Sequence, residues 1–163
     1  TVRKSEIGKR TREFIRNDQL QPSDRFKPIK CFDVNMNKFD WNSVKGKKFT
    51  IIVGGLWCMT HGMDNSLPKQ YFESIKENYG DSHQLILYVY CNGSEEMKAE
   101  IKEFGLEDYT VISDFKGRAT PFTSIYNCQA TPTCIYTDAE GIIVNIMEGL
   151  DPNYLENEFI LKQ

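Results

Sequence analysis

Cys58 and His61 are the residues whose types and spacing could do chemistry together. They lie in Trp57-Cys58-Met59-Thr60-His61, directly after an apolar run from Phe49 to Leu56. A thiol at the end of a buried strand, opening a helix, is in a position that favours its anion. A free cysteine has a pKa of about 8.5, so only a small fraction is thiolate at neutral pH. Backbone N–H groups at a helix N-terminus stabilise the anion and lower that value. His61, three residues on, stands one helical turn away if the helix starts at Cys58. A protonated imidazole there would favour the thiolate further, and a neutral ring could shuttle its proton. The bland alternative is a small apolar core residue beside a solvated histidine.

A second segment, Ala130-Thr131-Pro132-Thr133, lies about seventy residues further on and leads into Cys134-Ile135-Tyr136-Thr137-Asp138. A Thr-Pro step before a strand is a place where a cis proline can sit, although only about one X-Pro bond in twenty is cis in folded proteins.

Four more cysteines complete the set: Cys31, Cys91, Cys128 and Cys134. None of the five forms a C-x-x-C pair, and none has zinc-finger spacing. Cys31, Cys91 and Cys134 read as core residues in strands. Cys128 and Cys134 flank the Thr-Pro step and either could serve as a non-local resolving thiol, Cys128, in a loop, being the better placed; a disulfide would need Cα atoms within about 7 Å. Cys58, His61 and Cys128 could also form a soft metal set, with His83, in a turn before a strand, as the other histidine. The reading adopted calls for no metal and no cofactor. The P-x-x-x-[TS]-x-x-C pattern of peroxidatic cysteines is absent, because Ile51 to Trp57 holds neither Pro nor Thr.

The elements that must position these residues follow from periodicity. Residues 1–25 read as a polar N-terminal extension, with a short helix after Ser5, and residues 26–163 as one domain. Ile29–Val34 and Lys38–Trp41 read as a hairpin across Asn35-Met36-Asn37. Phe49–Leu56 and Gln84–Tyr90 are continuous apolar runs that suit central strands buried on both faces. A helix after Cys58 continues through Tyr71, Phe72, Ile75 and Tyr79 to Gly80, and another runs from Ser94 to Gly105. A short strand at Tyr109–Ile112 and helical residues from Arg118 to Tyr126 come next. Thr133–Thr137 and Ile142–Met147 then form a hairpin, and Asn153–Leu161 reads as a closing helix. Alternating strands and helices predict an α/β layered fold with a central mixed β-sheet.

The order of these segments resembles the thioredoxin-like superfamily, in the redoxin branch of bacterial thiol–disulfide oxidoreductases. The resemblance covers roughly residues 26–161. It rests on the Val44-Lys45-Gly46-Lys47 turn, Trp57-Cys58, Thr131-Pro132, and the turn between Asp138 and Gly141. It implies a three-layer fold, Cys58 as nucleophile, a cis Pro132, and a substrate groove shaped by Thr131 and Pro132 and walled by Trp57. It also implies protein thiol or disulfide substrates and a periplasmic or envelope-associated location. His61 departs from the pattern, because the family has its second cysteine there. The stretch from Cys58 to Pro68 is also about two residues longer than usual for the family.

Composition narrows the rest. The chain has 163 residues, 40% hydrophobic and 26% charged, enough for a substantial core. A net charge of −3 argues against nucleic acid as a partner. No apolar run is long enough to span a bilayer. Residues 1–20 are basic without the apolar stretch of a signal peptide. Two functions follow: thiol–disulfide exchange through Cys58 without an adjacent resolving cysteine, or a redox-inactive binding module on the same fold.

Overall fold

The computed structural model describes residues 19–55, 73, 77 and 83–150. Five strands form one mixed sheet: β1 Lys48–Gly54, β2 His83–Val89, β3 Thr110–Ile112, β4 Thr133–Thr137 and β5 Ile143–Glu148, in the order β3-β2-β1-β4-β5. The β1, β2 and β3 strands are parallel, and β4 is antiparallel to both β1 and β5.

Both faces of the sheet are covered, which explains why β1 and β2 read as apolar runs rather than alternating ones. Successive residues still divide between the faces. Ile52, Leu87, Val111, Cys134 and Tyr136 pack with Met97 and Ile101 of helix α1, Ser94–Phe104. Ile51, Val53, Ile86, Tyr88, Ile112 and Ile135 pack on the opposite face with Phe26, Phe122 and Tyr126. The latter two belong to the short helix α2, Pro121–Ile125, and its C-cap. The α1 helix ends at Gly105, whose φ of 64° supplies the left-handed turn that its position predicts. Thr120 caps α2 by accepting from the Phe122 N–H. Glu73 and Glu77 are helical and exposed; the rest of the helix expected between Cys58 and Gly80 lies outside the described residues.

Three expectations change. The Ile29–Trp41 hairpin is reduced to a single bridge between Phe32 and Lys38. Its turn is instead tied by Asp33, whose carboxylate accepts from the Asn35 and Asn37 backbone N–H groups. Trp41 opens a 3₁₀ turn, Trp41–Val44, because the Asp40 side chain accepts from the Asn42 N–H and caps it. Phe32 also bridges Ser113, so this segment covers the edge beyond β3. His83 is the buried first residue of β2, not part of a turn, and its Nε2 lies 2.7 Å from the Thr50 hydroxyl. Cys31 and Cys91 are fully buried as expected, but outside the strands.

At the other edge, Ser23 and Asp24 exchange backbone hydrogen bonds with Ile143, so the segment before Phe26 lies against the start of β5. The helices expected after Ser5 and over Asn153–Leu161 lie outside the described residues.

Candidate functional site

From β1 the chain builds β2 and β3 on one side, then returns to build β4 and β5 on the other. In open α/β sheets, ligands bind beyond the carboxyl ends of strands where the order reverses in this way. Here that point is the end of β1, at Gly54. Val53 pairs with Thr133, so the start of β4 lies beside the end of β1. Thr131 and Pro132 immediately precede that start, and the peptide bond between them is cis. Trp57, Cys58 and His61 follow Gly54 in sequence but lie outside the described residues.

Three hydrogen bonds fix the Ala130–Thr133 loop. The Thr133 hydroxyl donates to the Ala130 carbonyl at 2.7 Å. The Gly149 N–H donates to the Pro132 carbonyl at 2.8 Å. The Cys134 thiol in turn donates to the Gly149 carbonyl at 3.2 Å. Gly149 has a φ of 88°, a conformation that glycine adopts without steric cost. Thr131 and Pro132 themselves stay half-buried and reachable. Gly149 was not among the sequence candidates, because nothing local links a glycine after β5 to a proline 17 residues earlier.

The four described cysteines are free thiols. Burial, with the Asp114 charge as a smaller contributor, pushes Cys31 up to about 12. Burial likewise pushes Cys134 up to about 12 and raises Cys91. Cys128 is half-buried on the α2 face of the sheet, with its thiol directed at the Phe122 carbonyl 3.9 Å away. Burial, and secondarily the Glu148 charge, push it up to about 12 as well. All four are therefore thiols rather than thiolates at neutral pH. Among the described residues no group of His, Cys, Asp and Glu is arranged to hold a metal ion. His83 sits at the amino end of β2, while Pro132 lies at the carboxyl end of β1, so the sheet separates that histidine from the loop.

Comparison with solved structures places this architecture. The chain superimposes on a thiol-disulfide oxidoreductase from Bacteroides fragilis with a TM-score of 0.66 at 13% identity, over 85% of this chain and 97% of that one. It matches a protein assigned as the thiol:disulfide interchange protein DsbE of Chlorobium tepidum with a TM-score of 0.71 at 15% identity, over 88% and 98%. It also matches an exposed lipoprotein thioredoxin, Etrx1, from Streptococcus pneumoniae with a TM-score of 0.62 at 18% identity, over 78% and 94%. No family model and no curated protein matches the chain in sequence. The fold is thioredoxin-like.

Proposed function

We propose that the chain is a thiol–disulfide oxidoreductase in which Cys58 is the nucleophile. The observation that carries this reading is the pairing of Val53 with Thr133. It sets the Thr131-Pro132 loop beside the strand end from which the chain runs on to Cys58. Cys58 is four residues beyond Gly54, so it is tethered within roughly 14 Å of that point. The state of the other cysteines supports the choice, since burial holds all four as thiols.

The Cys58 thiolate attacks one sulfur of a substrate disulfide, forms a mixed disulfide and expels the other substrate sulfur as thiolate. His61 favours the attacking thiolate by charge or takes its proton. Thr131 and Pro132 shape the groove that receives the substrate, and Trp57 walls it. An external thiolate then attacks the substrate sulfur of the mixed disulfide, releases Cys58 as thiolate and leaves the substrate joined to the external thiol. Cys128 suits resolution less well, because the attacking species must be a thiolate and burial opposes it.

Protein thiols and disulfides are the proposed substrates. A location in the bacterial envelope is proposed with them, and the exposed lipoprotein thioredoxin among the neighbours supports it. No helix among the described residues is long and apolar enough to cross a membrane.

His61 in place of a second cysteine favours a second reading, a binding module that uses the same groove without redox chemistry. Trapping separates the two. Incubation with a disulfide-linked peptide, followed by intact mass and peptide mapping, should give one adduct on Cys58 and none in Cys58→Ser. Binding of the peptide without any adduct in the wild type would favour the module.

A further inference from the structure

A groove of about 290 Å³ opens beside Thr133, one residue beyond Pro132. That volume sits at the lower end of the range for ligand pockets and suits one side chain rather than a whole small molecule. Its wall on the sheet comes from β5. Glu148 and Ile146 pair across the strands with Thr133 and Ile135, and cross-strand partners share a face, so they line the groove on the α2 side. Leu20 and Ile146 give apolar surface against which a hydrocarbon stem can lie.

The polar lining combines three side-chain amides, Gln19, Gln21 and Asn127, with one carboxylate. Among the described residues Glu148 is the one charged residue in it, and no ion pair joins it to a described lysine or arginine. Gln19 donates one of its two amide N–H bonds to the Asn127 side-chain oxygen at 3.1 Å, and its own oxygen can accept. An apolar wall with a single carboxylate in the same lining is complementary to a lysine or arginine side chain. The groove also adjoins the loop where substrate would lie.

We propose that this groove is a specificity subsite that takes a lysine or arginine from the polypeptide whose disulfide Cys58 attacks. The proposal rests on the exchange reading and adds a substrate class to it: polypeptides with a basic residue near the reacting cysteine.

The test uses disulfide-linked peptides identical except at one position, which carries Lys, norleucine or Glu in turn. The variable position is scanned across the four residues on either side of the cysteine. The readout is the second-order rate of mixed-disulfide formation. At one or more positions, Lys should react about two- to fivefold faster than norleucine, the range of an exposed ion pair, and Glu more slowly than both. Raising the salt concentration should shrink that spread, and Glu148→Lys should invert the order. Equal rates at every position, or an order that neither Glu148→Gln nor Glu148→Lys alters, overturns the proposal.

If no peptide forms an adduct, the exchange reading fails, and the groove is judged separately. Serine-for-cysteine forms of the Lys and Glu peptides are then titrated onto the protein by calorimetry. Tighter binding of the Lys form, lost in Glu148→Gln, upholds the subsite for a binding module. Equal binding removes it.

Discussion

His83 offers a quantitative test of the sheet that carries the site. It is 5% exposed, and its Nε2 lies 2.7 Å from the Thr50 hydroxyl. Burial, with the Lys48 charge as a smaller contributor, lowers its pKa from 6.5 to about 4. The folded protein thus resists a proton that the unfolded chain accepts. Above pH 6.5 both states are neutral at His83 and stability is complete. As pH falls from 6.5 towards 4, the unfolded state gains the proton first and stability is lost. Those two pKa values give a loss of about 2.5 kcal/mol between pH 8 and pH 4.5. Carboxylates also titrate near the lower limit, so the perturbation to compare is His83→Gln, which keeps a hydrogen-bonding group near Thr50. Urea unfolding of both proteins at pH 8, 6.5, 5.5 and 4.5 isolates the histidine. The wild type should lose about 2.5 kcal/mol more than the variant across the series. A difference that stays constant with pH would refute the reasoning, because it would mean that His83 takes its proton in the folded state without cost.

Two further outcomes follow from the buried polar and sulfur groups. Thr120→Val removes the hydroxyl that pairs with Tyr88 at 2.5 Å and the cap of α2, and should cost about 2 kcal/mol, read as a fall in Tm of roughly 4–8 °C. In the native protein at pH 7.5, Cys31, Cys91, Cys128 and Cys134 should resist iodoacetamide for hours and react within minutes in urea, as peptide mapping would show. Rapid native labelling of Cys128 would restore it as a resolving candidate.

Much of the fold was legible because local patterns and tertiary packing agree. Continuous apolar runs marked β1 and β2, and Gly105 marked the end of α1. Asp138 and Gly141 marked the turn into β5, where the Asp138 carboxylate accepts from the Ile142 N–H. The hairpin expected across Asn35-Met36-Asn37 is cut short for a reason that propensity does not show. Asp33 and Asp40 satisfy nearby backbone N–H groups with their side chains, which competes with strand pairing. A histidine beside Asp81-Ser82 has turn-like neighbours in sequence, while the pairing of His83 with β1 and its hydrogen bond to Thr50, 33 residues away, are tertiary. The site divides in the same way. Thr131-Pro132 was readable as a dipeptide, and its cis form came only with the family resemblance. The bonds from Gly149 and the groove under Glu148 depend on strand register, which no local pattern encodes.

The central claim is that Cys58 is an activated nucleophile, and the pH dependence of its alkylation in the native protein tests it most directly. Because the other four thiols are raised by burial, the modification can be followed at Cys58 by mass mapping without altering the core. The expected result is an apparent pKa well below 8 that rises in His61→Ala. An apparent pKa of about 8.5 or above, insensitive to His61, is that of an ordinary cysteine. It would contradict the catalytic account and leave a thioredoxin-like binding domain.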